Sequence, residues 1–210
     1  MTSKIRFRGA TSGFVELAAP DAAGSNTLTL PTSNGTAGQY LQTSGTSGEL
    51  SWQTVSTSNL TRVATQSATG SSITFGSLPS TVRKITILLN NVGASGTDNL
   101  LIRVGTSGGL ITTGYTSRSQ FADASSTSGS TATNGFLHWQ NSGSVESAGA
   151  IELFNIADDV WVEKGITSSS GALLFSAGVV DAGAQVTQVA IQLTGANTFD
   201  AGSFGLFYEV

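Results

Sequence analysis

The side chains able to do chemistry are few, and their spacing limits what they can do. The chain has one histidine, His138, and no cysteine. Thiolate nucleophiles, disulfides and cysteine-ligated zinc are thereby excluded. A Ser-His-Asp triad would have to be built on His138, which lies in the stretch Phe136-Leu137-His138-Trp139. A packed or solvated strand histidine accounts for that setting, and one imidazole among scattered carboxylates is poor material for zinc. Asp158-Asp159 is the only adjacent carboxylate pair. It precedes Val160-Trp161 and reads as a turn between strands. A retaining glycosidase instead needs two carboxyls about 5 Å apart and aimed at one ring. Asp158 with Glu163, and Asp181 with Asp200, are the other pairs that folding would have to bring together. No GxxxxGK[ST] loop occurs, and no helical pattern follows the glycine clusters, so these are turns rather than phosphate cradles. The residues imply no catalytic group, no metal and no cofactor, and the expectation is a protein that is not an enzyme.

Binding by shape and hydroxyls is the alternative to catalysis. Tyr115, Trp139 and Trp161 are candidates to stack on a sugar ring, although such residues in a β-sandwich more often fill its core. The segment Asp123 to Asn134 is long, polar and nearly free of large apolar residues. It reads as a loop, and contacts concentrate on loops of that kind.

Charge narrows the partners. Only 10% of the 210 residues are Asp, Glu, Lys or Arg, against roughly 25% in ordinary soluble domains. Lys4, Arg6 and Arg8 cluster at the start, whereas beyond Arg103 only Arg118 and Lys164 face nine carboxylates. Phosphate neutralisation needs clustered cations, so nucleic-acid binding is excluded for this acidic half. No run of 18 apolar residues is present, which excludes a spanning helix, and the charged stretch Met1 to Arg8 does not resemble a signal peptide.

The elements that must position these groups read as strands throughout. Lys4-Ile5-Arg6-Phe7-Arg8 alternates strictly, as a half-buried strand does. Gly13–Leu17, Asn26–Pro31, Gln39–Leu41 and Glu49–Trp52 follow, with Ser33-Asn34-Gly35 as a turn. Residues 1–53 hold only eleven large apolar residues after Met1, too few for a self-sufficient core, and an oligomer or an external partner is expected. Residues 54–72 read as a Ser/Thr-rich linker or neck, within which Asn59–Val63 has the composition of a short strand or turn. In residues 73–210 ten runs have strand character, from Ser72–Phe75 and Arg83–Val92 to Val186–Leu193 and Ser203–Val210. Ile85, Ile87 and Leu89 share one face, as do Val189, Ile191 and Leu193. Many short strands with no amphipathic helix indicate an all-β fold, a jelly-roll-like antiparallel sandwich preceded by a small β-rich module.

The stretch Gly13-Phe-Val-Glu-Leu-Ala-Ala-Pro-Asp-Ala-Ala-Gly-Ser-Asn-Thr-Leu-Thr-Leu-Pro31, continued by Gly38-Gln39-Tyr40-Leu41 and Leu50-Ser51-Trp52, resembles a module of the tail fibres and appendage proteins of tailed bacteriophages, notably marine cyanophages. Val82-Arg83-Lys84-Ile85-Thr86-Ile87 and Asn197-Thr-Phe-Asp-Ala-Gly-Ser203, with a last strand ending Phe207-Tyr208-Glu209, resemble a β-sandwich at the ends of such fibres. Gly149–Leu153 and Val160–Val162 match its strands more loosely. The resemblance implies a virion location, a homotrimer, docking on other virion proteins through residues 1–53, and adhesion of the sandwich to a host-surface glycan. A capsid decoration or head-fibre protein is the alternative, favoured by the short chain, and a polysaccharide-degrading spike enzyme is a second.

Overall fold

A computed structural model describes residues 4–22, 24–43, 48–55, 59–139 and 146–210. The chain divides into two compact units, Met1–Thr57 and Ser58–Val210.

The first unit holds two hairpins. Strands β1 (Lys4–Arg8) and β2 (Phe14–Ala18) pair antiparallel, with Ile5 opposite Leu17 and Phe7 opposite Val15. Directly opposed residues share a face, so these four apolar side chains form one side. The other side carries Lys4, Arg6 and Glu16, joined by two ion pairs, with the Arg6 guanidinium 4.0 Å from the Phe14 ring centre. Strands β3 (Gln39–Thr43) and β4 (Leu50–Thr54) pair with Leu41 opposite Trp52. Trp52 lies flat on Gly35, where a Cβ would fall 2.6 Å from its ring, and its indole N–H donates to the Ser33 carbonyl at 2.8 Å. The expected strand Asn26–Pro31 is reduced to one bridge, Thr29 to Glu49. Among the described residues of this unit none is buried.

The second unit is a jelly roll. Its thirteen strands are β5 (Leu60–Ser67), β6 (Ser72–Phe75), β7 (Lys84–Ala94), β8 (Leu100–Thr106), β9 (Gly109–Leu110), β10 (Thr116–Ala122), β11 (Thr127–Ala132), β12 (Phe136–His138), β13 (Ser147–Ala157), β14 (Val160–Ser169), β15 (Ala172–Asp181), β16 (Gln188–Leu193) and β17 (Phe199–Glu209). One sheet runs β11-β10-β15-β14-β13-β7-β17-β5 and the other β12-β8-β16-β6, with β9 on β8. The quartets β5-β17-β7-β13 and β6-β16-β8-β12 show the winding: first strand beside last, second beside second-last, as a long hairpin rolled into two Greek keys. The alternation seen in the sequence sets the core. Ile85, Ile87, Ile151, Leu153, Phe204 and Leu206 of the first sheet meet Ile73, Phe75, Ile102, Val104, Val189 and Ile191 of the second.

Two expectations need correction. Residues 54–72 are not a linker throughout: β5 is an edge strand of the large sheet, paired to β17 from Ser67 to Leu60, and Val63 packs on the core. Its polar composition fits a strand that presents one edge and one face to water. The segment Asp123–Asn134 is not simply a loop either. Its Thr127–Ala132 part is β11, the opposite edge, paired to β10, and the Asp123 carboxylate accepts the Ser125 and Ser126 N–H groups at 2.7 Å to form the connecting turn.

Candidate functional site

The large sheet is four strands longer than its jelly-roll quartet, and this extension creates the polar centre of the molecule. Strands β14 and β15 leave β13 as successive hairpins, the second closing on Ser170-Gly171, both with positive φ, as two-residue turns of the mirror-image type require. With β10 and β11 they curl past the edge of the second sheet, which is β12. An uncovered edge strand leaves unpaired N–H groups. Here the Leu137 N–H donates to Ser117 Oγ at 2.8 Å and the Trp139 N–H to Ser119 Oγ at 2.7 Å, while Ser119 Oγ donates to the Phe175 carbonyl. Two serines on alternate positions of β10 therefore replace the missing neighbour strand. Ser119→Val should leave the Trp139 N–H without its partner, costing about 1–3 kcal/mol in chemical denaturation, and the Leu137 amide should keep its slow hydrogen exchange.

Behind this clasp lies a buried chain of polar groups. Thr167 Oγ1 is 2.7 Å from His138 Nε2, His138 Nδ1 is 2.7 Å from Ser176 Oγ, and Ser176 Oγ donates to Glu163 Oε1 at 2.5 Å. Ser176 has one hydroxyl proton, and it goes to the carboxyl. His138 then donates from Nδ1 and accepts at Nε2 from Thr167, the pattern of a neutral imidazole. Burial pushes the His138 imidazole down to about 4 and the Glu163 carboxyl up to about 7, the Ser176 hydroxyl only partly opposing it. Glu163 Oε2 has no partner among the described residues. Each side chain is less than a tenth exposed. The order of groups is not that of a hydrolytic triad, in which the imidazole stands between acid and hydroxyl. Here the hydroxyl stands between acid and imidazole, and all four side chains are buried. The arrangement ties β12, β14 and β15 together.

The other carboxylates do not converge. Glu163 faces inward from β14, whereas Asp158, exposed, and Asp159, half-buried, form the tip of the β13–β14 hairpin. Asp181 stands at that same end, opposite Val160, with its carboxylate on the Gly183 N–H. Asp200 is beside Gly93 at the far end of β7, roughly 30 Å away at about 3.3 Å per residue. Of the three aromatic candidates, Tyr115 and Trp161 are core residues, each 2% exposed. The Tyr115 hydroxyl accepts the Val104 N–H at 3.0 Å, and burial pushes its pKa up to about 12. Trp139 is half-buried and stacks on Phe121, ring centres 6.3 Å apart.

Two of the clefts on the surface of this unit bear on the candidate residues. One, of about 700 Å³, lies between β11 and the second sheet and is lined by Ser130, Thr131, Thr133, Asn134 and Thr194. The segment 123–134 thus contributes to a cleft, as a contact surface would, but without a charged side chain. Arg103 beside it is spent on the Asn134 carbonyl and on Gln192. The other, of about 1030 Å³, lies at the end where β13 turns into β14 and is lined by Arg83, Asn155, Asp158, Asp159, Gln185 and Thr187, among others.

No family model, curated protein or solved structure matches this chain. Function therefore rests on the geometry. Among the described residues no group of three or more histidine or carboxylate side chains is placed to hold a metal ion. The sequence pointed at Asp158-Asp159 and at segment 123–134, both of which line clefts. It named Glu163 only as a partner for Asp158, and it gave no notice of Ser117, Ser119, Thr167 and Ser176. Their only signal was position, since 163 and 167 fall on the same side of β14 as Trp161.

Proposed function

We propose that this chain is a structural appendage of a tailed-phage particle. Its first unit docks by self-association and onto other virion proteins, and its jelly roll is displayed for adhesion to a host-surface glycan. The observation that carries this reading is the contrast between the two units. The jelly roll has a complete core, whereas the first unit buries no described residue and exposes Ile5, Phe7, Val15 and Leu17, each 57–68%, on one face of β1–β2. An isolated two-stranded hairpin is marginal in water, so that face is built for cover by other chains. On the charged side Lys4 and Arg6 both pair with Glu16, whereas the apolar side has no cover, so the apolar side is the docking surface. The jelly roll adds a second apolar row on its outer face, where Leu88, Ala150, Ile166 and Phe175 are neighbours across β7, β13, β14 and β15. The resemblance to fibre proteins supports three copies.

Light scattering of the full chain tests the assembly. The wild type is expected to return a trimer mass at micromolar concentration. The double variant Phe7→Ser, Val15→Ser is expected to return a monomer whose jelly roll melts unchanged, because those side chains touch no core. A monomeric wild type would overturn self-association. Electron microscopy of particles with the chain labelled tests the location, and label on capsid capsomers rather than tails would favour a decoration protein.

A further inference from the structure

We propose that the cleft at the β13–β14 end of the jelly roll binds an uncharged glycan, held by Arg83, Asn155, Asp159 and Gln185. The inference rests on the adhesion reading and names its site. At about 1030 Å³ the cleft is at the upper end of small-ligand sites and has room for two or three sugar rings. Its polar groups come fixed and of both kinds. Arg83 Nη1 donates to Asn155 Oδ1 at 2.6 Å, and the Asn155 amide donates to the Asp158 and Val160 carbonyls at 2.8 and 3.3 Å. The backbone beneath is tied as well: Arg83 N–H to the Glu209 carbonyl, Asn155 N–H to the Arg83 carbonyl, and Ala182 N–H to the Asp159 carbonyl, at 2.7, 2.8 and 3.0 Å.

Against this fixed frame, the side chains of Asp159 and Gln185 make no bond to the protein's described residues, and both line the cleft. A sugar hydroxyl is donor and acceptor at once. A carboxylate, an amide and a guanidinium with donors to spare satisfy neighbouring hydroxyls in both senses. Asp158, next to them, holds φ at 42°, as a two-residue hairpin turn requires. Electrostatics selects the class. Two carboxylates stand against one guanidinium, with Asp181 beside them, so acidic polysaccharide is repelled. Trp161 lies under the cleft, but at 2% exposed it offers no ring face, so recognition runs through hydrogen bonds. The β11 cleft has hydroxyls and amides but no such clamped donor–acceptor set.

The test is the full chain on an array of neutral and acidic oligosaccharides, followed by titration calorimetry of the best neutral binder. Asp159→Asn and Gln185→Ala are the site variants and Thr131→Ala, in the β11 cleft, the control. Each site variant is expected to weaken binding by about tenfold or more, the effect of one charge-assisted or well-placed hydrogen bond, with Thr131→Ala unchanged. All three are expected to melt with the wild type, since the replaced groups hold nothing inside the protein. Wild-type affinity in both site variants would overturn the site while leaving adhesion intact. Binding to acidic glycans alone would overturn the ligand class. Binding to no glycan at all would overturn this proposal together with the adhesion reading on which it rests.

Discussion

Gly165→Ala is expected to destabilise the jelly roll by about 3 kcal/mol or more. A Cβ at this position of β14 would run into Ser176 Oγ and lie 2.9 Å from His138 Nδ1 and 3.0 Å from Glu163 Oε1. Gly165 has no positive φ, so the cost is not conformational. It is displacement of three polar groups that satisfy one another in a closed space. Overpacking costs about 1–3 kcal/mol, and leaving buried polar groups without partners adds a similar amount. Urea denaturation followed by the fluorescence of Trp139 and Trp161 reads the loss. Gly76→Ala is the control, because nothing lies within 4 Å of its added Cβ. A loss under about 1 kcal/mol for Gly165→Ala would mean that β12 stands off the sheet freely, and the clasp would then not hold the fold.

The same strand shows why the centre of the molecule was hidden in the sequence while its outline was not. In the quartets the inner row is the apolar row: Ile85, Ile87 and Leu89 point in, as do Val189, Ile191 and Leu193, and alternation reads them correctly. In β14 the hydropathy points the wrong way. Val160, Val162 and Ile166 look like a core face, yet Ile166 is exposed, and Glu163, Gly165 and Thr167 are buried beside Trp161. In β15, Leu173, Phe175 and Val179 face out, and Ser176 and Gly178 face in. Where it faces the backbone of β12 at close range the inner row is small and polar, while Leu174 and Val180 of the same row are apolar and buried. A Cβ on Gly178 would lie 2.8 Å from the Phe136 ring. A strand edge needs hydroxyls and space, not methyl groups, and no local pattern announces that a distant edge will arrive. Strand β11 escaped notice, and β5 showed only at Asn59–Val63, for a related reason, since edge strands facing water carry little of the apolar signal.

The buried chain should also fix how stability depends on pH, and the effect is visible only when the chain is cut. Glu163 titrates near 7 in the folded state against an unfolded value of 4.5. Between those values the folded protein holds a proton that the unfolded chain has lost, so this residue makes stability fall as pH rises from 4.5 to 7. His138 titrates near 4 against 6.5. Between those values the unfolded chain holds a proton that the folded protein lacks, so this residue makes stability rise with pH from 4 to 6.5. Over pH 4.5–6.5 the two slopes cancel: folding moves one proton from imidazolium to carboxylate and exchanges none with solvent. His138→Gln should uncover the Glu163 slope, a loss of roughly 3 kcal/mol between pH 4.5 and 7, and Glu163→Gln should uncover the opposite slope, a gain of similar size between pH 4 and 6.5, at about 1.4 kcal/mol per unit. Each slope is read from the variant's own urea unfolding across pH, with that of the double variant His138→Gln, Glu163→Gln subtracted to remove the contribution of the other carboxylates. Variants that track the wild type in parallel would mean that burial shifts neither group. Opposite slopes would mean that burial holds each group uncharged on its own, and the unpartnered Glu163 Oε2 already argues against a buried negative charge.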